Sequence, residues 1–169
     1  MASSLYADAF RHHVWATFRL LDTCDRLTAE QLASAVPGTY GSIIDTLRHI
    51  VGADRSYLAL LSGETIQRID EDAMTLAELR AVMQADNPAW ETVLAGAIDP
   101  DEVLVRRFDD GRQVRAPLGL RLAQVVHHGT DHRSQVATAL TNLGIEPPPM
   151  DLWDWGEALG RVVDVPAPG

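Results

Sequence analysis

The stretch PLGLRLAQVVHHGTDHRSQVATALTNLG, positions 117–144, decides the fold. Leu118, Leu122, Val125, Val136 and Leu140 recur in it at helical spacing and form one apolar stripe. Pro117 suits the opening of a helix, because the N–H it lacks is one the first turn would leave unpaired. Gly144 suits its end, where a left-handed residue closes the last turn. The spacing predicts one long amphipathic helix from about Leu118 to Asn142. A helix with a single apolar stripe needs other helices or a sheet to cover it, so the rest of the chain is read for partners.

Three more helical segments lie upstream. The first runs from about Leu5 to Asp25, with Tyr6, Phe10, Val14, Phe18 and Leu21 on one face. Thr28 with Gln31 is a capping-box pair that opens a further turn, and Val36 to Gly41 has the composition of a loop. The second long helix runs from Ser42 to about Leu61, with Ser42 as N-cap and Asp45 in its first turn. Ile43, Leu47, Ile50, Val51, Leu58 and Leu61 form its stripe, and Ser62–Gly63 ends it. A connection from Thr65 to Met74 follows, and its acidic run Asp70–Glu71–Asp72 reads as a solvated loop. The third helix opens at Thr75 with Glu78 as its capping-box partner and reaches about Ala95. Pro88 inside it predicts a kink or a split.

Between the third and fourth helices, Val103–Phe108 and Arg112–Arg115 flank Asp109–Asp110–Gly111, which reads as a β-hairpin. After Pro147–Pro148–Pro149, Asp151–Gly156 forms a short last helix carrying Trp153 and Trp155, and 156–169 is a C-terminal tail that frays at Pro166–Gly169. The expected fold is all-α, a four-helix bundle with a small β-hairpin between helices three and four, in one domain spanning 1–169.

Composition narrows the function. The chain has 169 residues, is 46% hydrophobic and carries a formal net charge of −10, which lacks the electrostatic footprint of a nucleic-acid or anionic-membrane binder. No apolar run is long enough to span a membrane. A single cysteine rules out a disulfide framework and a cysteine-based zinc finger. Free Cys24, with no secretory pattern at the N-terminus, points to the cytoplasm. Flanked by Asp22 and Asp25, it is a poor nucleophile and a good small filler.

The chemistry lies in the histidines. His128 and His132 are four residues apart on one helix, about 40° apart around its axis, so both imidazoles can reach one metal ion. The same spacing equally suits two surface or hydrogen-bonded histidines. His49, on the second helix beside Gly52, Ala53 and Ser56, completes a three-histidine site if helices two and four are neighbours. The small residues around it suit either a hollow for a ligand or a close helix crossing. His127 diverges by about 100° from His128 and falls outside the site. His12 and His13 are read as partly exposed structural residues, with one of them facing the cleft as the alternative; Trp153 and Trp155 as packing of the tail, with a roof over the site or a dimer seam as the alternative; and the hairpin as a lid or contact element.

His128–Gly129–Thr130–Asp131–His132–Arg133–Ser134–Gln135 resembles the fourth-helix signature of the DinB/YfiT-like superfamily. Thr46–Leu47–Arg48–His49–Ile50–Val51–Gly52–Ala53–Asp54 is similar to the segment that supplies that superfamily's other histidine, and Leu20–Asp22 with Leu27–Leu32 looks like its first helix and turn. The likeness covers about residues 6–155. It implies an up-down-down-up bundle, a metal ion held by His49, His128 and His132, and a homodimer. Relatives include S-transferases that use low-molecular-weight thiols such as bacillithiol or mycothiol, and mycothiol-dependent maleylpyruvate isomerases. Gln135, close to His132, is expected to support the ligands from behind. Arg133 is expected either to do the same or to form a buried ion pair, with Asp54 as a candidate acid.

The expected cofactor is a divalent metal ion, zinc or nickel, since three neutral imidazoles leave positions open on either. The expected activity is transfer involving a small-molecule substrate and a low-molecular-weight thiol, without nucleic acid or membrane. The alternatives are a hydrolase using metal-bound water and a non-catalytic stress-response module that binds metal. The hydrolase is weakened by the lack of a carboxylate at the spacing of an H-E-x-x-H helix.

Overall fold

The computed structural model describes residues 5–165, so the fraying expected at Pro166–Gly169 lies outside the described residues. Four long helices form the body: α1 (Leu5–Cys24), α3 (Ile43–Ser62), α4 (Leu76–Ala95) and α5 (Leu118–Asn142), with short α2 (Ala29–Leu32) and α6 (Leu152–Ala158) at the ends of connections. Strands β1 (Val103–Arg107) and β2 (Gln113–Pro117) pair antiparallel, from Val103 opposite Pro117 to Arg107 opposite Gln113. The fold is a helical bundle with one hairpin before its last long helix, as the periodicity predicts.

The helix ends follow side-chain chemistry. Ser42 accepts the Asp45 N–H, while Thr28, Thr75 and Asp151 open α2, α4 and α6 with complete capping boxes. Gly63 ends α3 at φ 71, a left-handed conformation that glycine adopts at no steric cost. In the hairpin, the N–H of Phe108 donates to Arg112 O and that of Gly111 to Phe108 O. With Gly111 at φ 84, this is a three-residue loop closed by a glycine bulge.

Pro88 does not split α4, which is continuous through it. The carbonyl that loses its partner belongs to Gln84, and both Gln84 and Pro88 are exposed, so water can satisfy it.

Helices α1 and α3 each lie between α4 and α5, with the most extensive packing between α3 and α5, and α6 rests on α1. The core is divided. One apolar cluster contains Leu20, Leu21, Ile43, Leu47, Ile50, Leu79, Val136 and Leu140. The other contains Phe10, Leu58, Trp90, Leu94, Leu118, Leu122 and Val125. Between them along the chain, α1 carries buried His13 and Thr17, α3 carries buried Asp54, and α5 carries buried Gly129 and Arg133. Three helices thus place polar residues at one level of the bundle.

That level corrects two expectations. His13 is fully buried, where partial exposure is expected from the sequence. Arg133 does not reach Asp54 directly: its Nη1 donates to His13 Nδ1 at 2.7 Å, and His13 Nε2 donates to Asp54 Oδ2 at 2.7 Å. A guanidinium only donates and a carboxylate only accepts, so the imidazole between them carries its proton on Nε2 and its lone pair on Nδ1. The network needs Gly129, because a Cβ there would run into the His13 ring.

A candidate metal centre

Helix α3 presents His49, and α5 presents His128 and His132. One ligand atom from each lies within 4.8 Å of the others, so the cluster could hold a metal ion. The ring centroids are 4.4 Å apart for His128 and His132, 5.0 Å for His49 and His128, and 4.9 Å for His49 and His132. The convergence requires α3 and α5 to be neighbours, and they are.

The outer nitrogens show which atoms face inward. His132 Nδ1 lies 3.1 Å from Gln135 Oε1, which can accept its proton. His49 Nδ1 lies 3.4 Å from Glu71 Oε2, a longer contact of the same kind. Both rings then offer Nε2 lone pairs to the centre. His49 Nε2 and His128 Nε2 lie 3.1 Å apart. Burial, followed by the neighbouring His132 and His49, pushes the His128 imidazole down to about 4. It is therefore a neutral donor of a lone pair at neutral pH, the form a divalent ion requires. The donor set fits zinc or nickel: three imidazole nitrogens, two of them oriented by a hydrogen-bond acceptor on the far side.

Two residues join the site that sequence spacing does not single out. The Tyr40 ring stacks on His49, with centroids 4.1 Å apart and planes 13° from parallel, and meets His132 edge-on. Its backbone N–H donates to Gln135 Oε1 at 2.8 Å, so one amide oxygen serves both the loop and His132. Glu71 comes from the acidic run expected to be a solvated loop, and its carboxylate instead reaches His49. Gly52 makes room for it, since a Cβ on Gly52 would overlap the Glu71 carboxylate. Glycine one turn after His49 is the one local signal of this contact.

Other expectations resolve simply. His127 is exposed on α5. Gln135 stands behind His132, whereas Arg133 contacts His13, Thr17 and Thr130 in the buried network. Trp155 packs against the His12 ring and beneath Arg161, while Trp153 is exposed. Cys24 is buried, and burial followed by the Asp25 charge pushes its thiol up to about 12.

Gly52→Ala tests the role of Glu71. The added methyl meets the far end of a flexible side chain, so the helix should persist and Glu71 should swing away from His49. Zinc affinity, read by competition with a chelating dye, should fall about tenfold. Glu71→Gln should act in the same direction, and the double variant should lose little more than either single one. Unchanged affinity in both single variants would show that the carboxylate does not orient His49.

Comparison with known proteins places the chain in a wider set. The family model described as the DinB family matches residues 1–158. Protein DinB of Bacillus subtilis (strain 168) is 23% identical over 156 residues, covering 84% of this chain and 88% of that protein. A solved DinB-like protein from Bacillus cereus ATCC 10987 superposes with a TM-score of 0.64 at 16% identity, over 89% of this chain and all of the other.

Proposed function

The chain belongs to the DinB family, and we propose that it is a divalent-metal-dependent enzyme, a transferase acting with a low-molecular-weight thiol. The observation that supports this is the convergence of His49, His128 and His132, with Glu71 and Gln135 as acceptors behind two of the rings. A zinc or nickel ion held by three neutral imidazoles would have open positions and would lower the pKa of a thiol bound there.

The chain's own groups divide the remaining work. Tyr40 covers one side of His49 with its ring and leaves much of its own surface in solvent. Gln135 holds His132 and the Tyr40 loop in register. Cys24 is buried and poorly ionised, so the reacting thiol comes from a cosubstrate. In a transfer, the sulfur forms a bond to the electrophilic carbon, the leaving group departs from that carbon, and the thiol proton passes to solvent.

A hydrolase using metal-bound water is the second reading, favoured by the same three-histidine cluster, since an ion held there would have a position open for water. Glu71 stands behind His49, at its Nδ1, so it would support that ligand and not act on the water. Both readings place a small-molecule substrate at this site. We further propose a cytoplasmic homodimer, in keeping with the family resemblance, and no role in nucleic-acid binding, in keeping with the acidic charge.

The test uses the full chain in metal-loaded and chelated forms. Bacillithiol or mycothiol is supplied with a small electrophile, and free thiol is followed over time. Consumption that disappears on chelation and returns with zinc or nickel supports the transferase. Product formation that needs metal but no thiol favours the hydrolase. Rates indifferent to metal in both assays would overturn the proposal.

A further inference from the structure

A cavity of about 250 Å³ begins one turn beyond His49 along α3. Gly52, Arg55 and Ser56 line it from α3, Arg68 from the connection before α4, and Arg106 and Arg107 from β1. Four of the chain's fourteen basic residues, all fourteen of them arginine, therefore border one small cavity in a protein of net charge −10.

Their ion pairing is sparse. Arg55 has Asp86 at 3.7 Å, a long contact, and its Nε is buried with no hydrogen-bond partner among the described residues. Arg106 donates to Ser56 Oγ at 2.9 Å and stacks over Phe108, which holds its guanidinium in place without neutralising it. The guanidinium groups of Arg68 and Arg107 have no ion pair or hydrogen bond within the described residues. On the side of the histidines, the Glu71 carboxylate fills the space over Gly52 and faces His49.

We propose that this cavity binds the oxyanion end of a small molecule, a carboxylate or phosphate group. Arginine suits that task because its planar fork matches the geometry of both groups and it keeps its charge when partly buried. Clustered charge in a concave site also creates a local positive potential that the net charge of the chain does not cancel. The cavity is smaller than a typical drug-sized site, which fits one anionic group with a short stem. From His49 to Ser56 is seven residues of helix, about 10 Å. The Glu71 carboxylate stands between the two, so a ligand with its anion among the arginines would have to displace Glu71 for its other end to reach the histidine cluster. The hairpin thereby acquires a function, since β1 carries two of the four arginines to α3.

This assignment rests on the proposed metal site only for what the other end of the ligand meets; binding of the anion does not require metal. Inorganic phosphate and succinate serve as separate probes, titrated calorimetrically into the full-length protein at low ionic strength. Arg68→Gln/Arg107→Gln removes two exposed charges with no internal partner, so the fold should be kept. Arg26→Gln/Arg115→Gln removes the same net charge from two exposed residues that do not line the cavity.

The expected result is saturable binding of at least one probe, weakened at least tenfold in R68Q/R107Q and nearly unchanged in R26Q/R115Q. The probe that binds tells carboxylate from phosphate. No saturable binding of either probe, less than tenfold weakening in R68Q/R107Q, or equal weakening in the control pair would overturn the proposal. Zinc binding measured on the same variants separates the two sites. Zinc retained while the anion is lost leaves the histidine site standing, and the anion retained in His128→Ala leaves the arginine site standing.

Discussion

His128→Ala is expected to lower zinc or nickel affinity at least about a hundredfold, since removing one of three ligands should exceed the 10–100-fold losses typical of removing a group that merely orients one. His128 meets both of the others: its Nε2 is 3.1 Å from His49 Nε2, and its ring centroid is 4.4 Å from that of His132. The metal-free fold should tolerate the change. The ring is half-buried, and its Nδ1 is buried without a hydrogen-bond partner among the described residues, so alanine removes no hydrogen bond but the contact with His49. Metal content after dialysis and chelator competition measure the affinity, and circular dichroism with thermal melting of the metal-free form checks the fold. His127→Ala is the matched control, one residue away and exposed. Equal loss in both variants, or retained affinity in His128→Ala, would remove His128 from the ligand set.

The second large effect concerns stability. Arg133→Met should destabilise the protein by about 3–5 kcal/mol, as removal of one partner from a buried charged network typically does. Arg133 is 3% exposed, and it donates to His13 Nδ1, Thr17 Oγ1 and Thr130 Oγ1. Methionine of similar length fills the space but donates nothing. His13 Nδ1 then loses its donor, and the Asp54 carboxylate loses the positive charge that balances it. Against the roughly 5–15 kcal/mol that stabilises an ordinary domain, such a loss is severe. Urea denaturation would show it as a lower midpoint with an unchanged slope.

Arg133→Met/His13→Leu/Asp54→Leu should regain much of the loss, because it replaces the whole network by apolar groups instead of orphaning part of it. A penalty below about 1 kcal/mol in the single variant would mean that the network is not a structural element. Zinc affinity of the refolded single variant should stay close to that of the parent, since Arg133 contacts none of the three candidate ligands through a hydrogen bond or ion pair.

The two predictions fall on opposite sides of what is legible in the chain. His128 and His132 lie four residues apart on one helix, and their meeting is a local consequence of helical geometry. Their approach to His49 depends on α3 and α5 being neighbours, which spacing leaves open and family resemblance implies. Arg133 shows the reverse. A buried ion pair with Asp54 is one of the two expectations for it, but His13 stands between the two charges. Adjacent residues on a helix diverge, so His12 and His13 cannot both face the core. Only the packing of α1 between α4 and α5 selects His13. Glu71 is a similar case: three acidic residues in a connection look solvated, and the contact with His49 exists because Gly52 lacks a side chain.

Local signals in the chain set the elements and the faces that carry the candidate ligands. Apolar periodicity, the capping residues Thr28, Ser42, Thr75 and Asp151, and glycines at the closing turns act over a few residues, so they place the helices and the hairpin without knowledge of the rest. Which faces meet is a matter of packing in three dimensions. That packing brought His49 to His128 and His132, inserted His13 between Arg133 and Asp54, drew Glu71 into the space over Gly52, and gathered arginines from α3, the following connection and β1 around one cavity. Those contacts join residues tens of positions apart, and burial of apolar stripes constrains which helices pack without naming the polar groups that packing brings together.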